Sequence, residues 1–99
     1  MVVSDMVEDV APQSVLAAQM LGKQLVAVRS LVGIEALVAA QGLDFRGRGA
    51  LGVASEVLYP AIRSSVEQLE EDRAMGGEIE HALAAVESAD VIGSLSNLA

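Results

Sequence analysis

Residues 12 to 41 carry no proline beyond the first position, and their only charges are Lys23, Arg29 and Glu35. Pro12 suits a first helical turn, where its missing N–H is no loss. Gly42 can follow a helix end in the left-handed conformation. The stretch therefore predicts one long helix, Pro12 to about Gln41, stopping at Gly42. Its polar residues decide what surrounds it. Gln13, Gln24 and Glu35 recur every eleven residues, as do Gln19, Ser30 and Gln41. Eleven residues is about three turns, so each trio forms a stripe along the axis, and the stripes lie about 120° apart. Leu16, Met20, Ala27, Ile34 and Val38 run between them. A wider apolar arc includes Leu21, Leu25, Val28, Val32 and Ala36, and Arg29 interrupts it. A surface helix has one apolar face. This one has two, so neighbours are expected on both sides.

Ninety-nine residues leave room for one small domain or part of one. Residues 1–11 read as an acidic arm and 12–99 as a helical domain. After a loop from Gly42 to Gly52, a second helix is expected from about Ala54 to Asp72, kinked or broken at Pro60. Gly76-Gly77 closes the next turn. Ile79, Ala82, Leu83 and Val86 then follow helical spacing over Glu78 to Ser88. Ser88 is placed to cap a last short helix through Leu95. No strand-like alternation or internal repeat competes with this, so the expected fold is all-α: one long bundle helix and two or three shorter ones.

Charge and composition narrow the partners. A net charge of −8 repels phosphate backbones, which excludes general nucleic-acid binding despite Arg46 and Arg48. With no cysteine and one histidine, His81, neither a disulfide framework nor a metal site is expected. The longest uncharged run in the apolar region, Val10 to Gly22, is shorter than the roughly 18 to 20 residues of a membrane span. Asp5, Glu8 and Asp9 stand where a signal peptide carries basic residues, so the chain is expected in the cytoplasm, without a membrane partner.

Other polar groups read as ordinary surface. Glu70, Glu71 and Asp72 sit beside Arg73 as a solvated helix end. Ser64, Ser65, Ser94 and Ser96 match no nucleophile motif. Gly47, Gly49 and Gly52 fit no phosphate-binding spacing. Arg29 is different: buried, it needs a carboxylate from another helix or chain; at an edge, its stem can snorkel outward.

Four stretches in order carry a family resemblance. Val38-Ala-Ala-Gln-Gly-Leu-Asp-Phe-Arg46 resembles the end of the last core helix in the histidine and phenylalanine ammonia-lyase and aminomutase family. Upstream, Glu8-Asp9-Val10 and Ala11-Pro-Gln-Ser14 are similar to that family's Gln-Glu-Asp-His-Val-Ser-Met segment, with Val7 and Val10 replacing its Gln and His. Tyr59 and Ile62-Arg63 stand where the next family helix carries Tyr and Ile-Arg. Leu69-Glu-Glu-Asp-Arg73 and Glu78-Ile-Glu80 are similar to its acidic Asp-Arg turn and following Asp-Ile-Glu. The likeness covers about residues 7–87 and corresponds to the C-terminal region of a family protein.

The resemblance implies an all-helical homotetramer with a shared bundle, and ammonia elimination through a methylidene-imidazolone electrophile formed from Ala-Ser-Gly. The nearest approach here is Ala54-Ser55-Glu56. No cofactor is thus expected within this chain, and a partner chain would have to supply the electrophile. Of the family's site residues only one maps, the active-site glutamate, onto Glu8. A carboxylate beside an apolar pocket can handle a substrate proton or amine; on a mobile arm, Asp5, Glu8 and Asp9 merely solvate it. Three readings stand together: a small subunit or segment completing a lyase bundle, a helical oligomerisation module without chemistry, and a small-ligand binding or regulatory protein. All three predict association, as a homo-oligomer or with a longer lyase-like chain.

Overall fold

A computed structural model describes residues 13–98, so the expected acidic arm, Glu8 and Pro12 lie outside the described residues. Among those described, the chain is all-helical. It comprises α1 (Ser14–Phe45), α2 (Val53–Ser65), α3 (Gly76–Val86) and α4 (Ala89–Ser96). At 1.5 Å per residue, α1 is about 48 Å long. The shorter helices gather around its C-terminal half, where Leu37, Ala40, Ile62, Val66 and Ala82 form the buried core.

The contact of α1 with α3 is close because Gly33 permits it. A methyl group at Gly33 would stand 3.0 Å from the Ile79 carbonyl oxygen and 3.1 Å from its Cγ2. Gly33 therefore joins the buried face of α1 with Leu37 and Ala40. Arg29, one turn earlier, is not buried. Its guanidinium donates from Nε and Nη2 to both carboxylate oxygens of Glu87, at 2.9 and 2.7 Å, just past α3. The carboxylate thus comes from another element, and the pair lies at an exposed edge. Such a fork is geometrically specific but contributes little to stability in water.

Three boundaries differ from expectation. First, α1 does not stop at Gly42 but continues to Phe45. The end is set by Gly47, whose φ of +75° places it in the left-handed region. Gly47 N–H donates to the Asp44 carbonyl at 3.2 Å, and Arg48 N–H donates to that of Leu43 at 2.7 Å. These are the paired bonds of a Schellman closure, which satisfies carbonyls that Gly42 would have left bare. Second, of the kink or break expected at Pro60 the break is absent: α2 runs as one helix from Val53 to Ser65, and Pro60 and Glu56, whose carbonyl loses its helical donor, are both exposed.

Third, α2 ends at Ser65 rather than Asp72, and residues 66 to 75 form no helix. Side chains satisfy much of that segment's backbone instead. Gln41 donates from Nε2 to the Leu69 carbonyl at 2.8 Å, and its Oε1 accepts from Leu69 N–H at 3.0 Å. Arg63 donates to the Val66 carbonyl, and Arg73 donates to those of Glu67 and Gln68. Further on, α3 starts two residues early and takes Gly76-Gly77 into its first turn. As expected, Ser88 caps α4, its hydroxyl accepting from Val91 N–H at 3.3 Å.

By length and composition α1 is also apolar enough to cross a membrane, with a small share of its most apolar stretch buried. Val15, Leu25, Leu31, Val38 and Phe45 are all more than half exposed. The two apolar faces expected from the polar stripes are therefore present. Among the described residues, only the C-terminal half of the helix finds partners for one side.

Candidate functional site: a polar latch at the end of the long helix

Gln41 and Asp44 lie three residues apart in the last turn of α1, and Tyr59 and Arg63 lie four apart in α2. Each pair shares one helix face. Where the faces meet, Tyr59 donates its hydroxyl proton to Asp44 Oδ1. Arg63 holds the other oxygen through Nε at 2.9 Å, with Nη2 at 2.7 Å from the same atom. Its Nη2 also reaches Gln41 Oε1 at 3.4 Å. Arg48 stacks over the Tyr59 ring, 4.5 Å from its centroid, and pairs with Glu56 at 3.0 Å. Each of these groups already has a partner inside the chain.

The electrostatics explain why Asp44 needs them. A carboxylate in the last turn faces the negative end of the helix dipole, and the Asp44 side chain is only 8% exposed. The Tyr59 hydrogen bond nonetheless holds Asp44 below its ordinary value, against an opposing shift from burial; Arg63 adds to the lowering. The same bond pushes the Tyr59 hydroxyl above its ordinary value, and burial pushes the same way. The ionised carboxylate and neutral phenol therefore stabilise one another, and neither is poised to exchange a proton near neutrality. This cluster is built to position a helix end.

Two apolar grooves flank the latch. One, of about 250 Å³ between α1 and α2, is lined by Ala36, Ala39, Leu43, Leu58, Ile62 and Val86, with Glu35 at its edge. The other, of about 410 Å³, lies along Ile34, Val38, Phe45, Leu69, Met75 and Ile79. Both are open, consistent with a helix whose sides await further packing.

Glu8, the expected catalytic residue, lies outside the described residues. His81 is exposed on α3, and among the described residues no cluster of three or more His, Cys, Asp or Glu has metal-site geometry. Arg73 pairs with Glu78 at 3.2 Å across the turn into α3. Ser55 sits in the exposed first turn of α2 and precedes Glu56, which is tied to Arg48. This does not fit the electrophile: its third residue must be glycine, and Glu56 is engaged as an ion-pair partner.

Three of the four resembling stretches converge here. Gln41 and Asp44 come from the first, Tyr59 and Arg63 from the next, and Leu69 from the acidic turn. Sequence reasoning named these stretches without seeing that they touch. Their shared signal was spacing, three residues in one helix and four in the other.

The chain is similar to curated histidine ammonia-lyases from several bacteria. It is 36% identical over 63 residues to that of Alkaliphilus oremlandii, covering 64% of this chain and 12% of the relative. With the enzyme of Stigmatella aurantiaca it shares 32% over 81 residues, 81% of this chain and 16% of the relative. With that of Symbiobacterium thermophilum it shares 32% over 92 residues, 93% and 18% respectively. No family model matches the chain, and no solved structure matches it. The chain thus spans less than a fifth of the length of these relatives. These matches place the chain as a region of the histidine ammonia-lyase family.

Proposed function

We propose that this chain is the bundle-completing C-terminal segment of an aromatic amino acid ammonia-lyase or aminomutase assembly, and that ammonia elimination requires a second chain bearing the Ala-Ser-Gly electrophile. One observation carries this reading. Residues from the stretches that resemble the family form a latch that fixes the end of α1, while much of that helix stays exposed and apolar. A latch of this kind presents a helix to a larger assembly. In that assembly Glu8 stands beside the substrate as its proton-handling carboxylate, and α1 packs on protein helices rather than lipid. The stripes of Gln13, Gln24 and Glu35 suit a wet bundle. The assembly is soluble and cytoplasmic on this reading.

The test is reconstitution. Co-expression with a longer lyase-family chain that has Ala-Ser-Gly but lacks this region should give a complex that releases ammonia from an aromatic amino acid. Glu8→Gln should then lower turnover without disturbing assembly. A stable complex with no ammonia release would refute the catalytic reading; unchanged turnover in Glu8→Gln would remove Glu8 from the site.

A second reading, a helical oligomerisation module without chemistry, is favoured by the latch itself, in which Asp44, Tyr59 and Arg63 are bonded to one another and to the chain's own backbone. It predicts a self-contained oligomer that ignores the longer chain.

A further inference from the structure

The larger of the two apolar grooves differs from the smaller in size and in its polar end. Its volume of about 410 Å³ falls among small-molecule sites, roughly 300 to 1,000 Å³, and the groove of about 250 Å³ falls short. One wall is α1, through Ile34 and Val38. The facing wall is Leu69 and Met75 from the non-helical segment, with Ile79 from α3. Val38 and Phe45 are well exposed, so the mouth is open. Met75 is half-buried against the core, and its unbranched thioether can adapt to an occupant.

Gln41 and Arg63 are the only polar side chains that line this groove. Arg63 brings no free charge, since its Nε and Nη2 lie 2.9 and 2.7 Å from Asp44 Oδ2. Gln41 is clamped to one residue, its Oε1 accepting from Leu69 N–H while its Nε2 donates to the Leu69 carbonyl. An amide nitrogen carries two hydrogens. The one on the same side as Oε1 serves Leu69, so the other is turned away from that backbone. No group among the described residues accepts it.

We propose that this groove binds a small neutral molecule with an apolar body and one carbonyl oxygen, which accepts from the second Nε2 hydrogen of Gln41. An apolar body gains by leaving water. A pure hydrocarbon would strip water from the Gln41 N–H without replacing its bond, which is costly; a carbonyl restores the bond. Charge is disfavoured in both signs. The groove reaches Gly42 and Phe45 at the negative end of the α1 dipole, and the chain carries a net charge of −8, so a carboxylate is repelled. An ammonium group finds no carboxylate in the lining. This site goes beyond the lyase reading and does not rest on it, since binding is measured on the chain alone and without activity.

The test is an NMR titration of the isotope-labelled full chain with methyl hexyl ketone, beside octanoate and octylammonium of equal carbon number. The ketone should give saturable shifts at the Gln41 side-chain amide and the Ile34, Val38 and Ile79 methyls. It should bind at least about tenfold more tightly than either charged probe. Val38→Asp alters an exposed side chain and should weaken the ketone about tenfold or more. Ala39→Asp, in the smaller groove, should leave ketone binding unchanged. Octanoate or octylammonium binding as tightly as the ketone would overturn the neutral acceptor. Equal shifts in both grooves would reduce the effect to unspecific apolar adsorption and overturn the site. Absence of saturable shifts, whether the groove is empty or covered by another chain, would overturn it as well.

Discussion

The two halves of α1 draw on similar residues and meet different surroundings. From Ser14 to Val32 every position is exposed except half-buried Ser30; from Gly33 to Ala40, Gly33, Leu37 and Ala40 are buried. Leucine, valine and alanine dominate both halves, so composition does not cause the difference. Two local devices do. Gly33 lets α3 approach within contact of the helix backbone, and Asp44 with Gln41 ties the end of α1 to α2 and the turn beyond. Where those devices stop, intramolecular packing stops. Helix existence was thus set by periodicity, and helix burial by a glycine and two polar side chains.

The contrast is broken most strongly by truncating one leucine in each half. Leu37→Ala should cost about 3 kcal/mol in chemical denaturation, the usual loss for a buried leucine. Leu25→Ala, at 56% exposure, should change the stability of the isolated chain by less than about 0.5 kcal/mol. Equal losses would mean that both halves are buried in solution.

The latch comes next. Asp44→Asn leaves Arg63 half-buried beside a neutral amide and should cost about 2 kcal/mol. Its pH dependence has a definite sign. Asp44 titrates below its ordinary value of 3.8, so its stabilisation is full above that pH and disappears as pH falls through the lower folded value. Tyr59 titrates above 10.0, so its contribution is full below that pH and disappears as pH rises through the higher folded value. Thermal melts across pH should show both edges. Asp44→Asn should flatten the acid edge, and Tyr59→Phe should remove the alkaline one.

Two glycines eleven residues apart sharpen the comparison further. Gly22→Ala meets nothing within 4 Å and should stabilise by up to about 1 kcal/mol through helix propensity. Gly33→Ala gains the same propensity but meets a backbone oxygen at 3.0 Å, so it should destabilise by about 1 kcal/mol net. Opposite signs in denaturant midpoints are the expected result. The smallest effect belongs to Arg29→Ala at the boundary of the two halves. Its pair with Glu87 is exposed, so the melting temperature should move little, and less as salt is raised.

Much of the fold was legible in the sequence. The long helix, the doubly apolar surface, the Ser88 cap and the all-helical class all follow from spacing and local chemistry. The end of α1 was misplaced because Gly42 and Gly47 look alike in sequence. Only the second has a left-handed φ, which the paired bonds from Gly47 and Arg48 close. The end of α2 was misplaced for a deeper reason. Val66 to Asp72 carries ordinary helix-forming residues, and what prevents helix there is competition from Gln41, Arg63 and Arg73, distant in sequence or specific to the tertiary arrangement. The latch itself was visible only as disconnected family-like stretches.

That competition sets an order of events. The strand of chain from Val66 to Met75 has no regular ladder of its own, and its anchors Gln41 and Arg63 come from two different helices. It can take its shape only after those helices have docked, so it is the last part of the core to form and the first to let go. In hydrogen exchange, the Leu69 amide should report the docking of α1 on α2 as one event, ahead of any signal from the helices themselves.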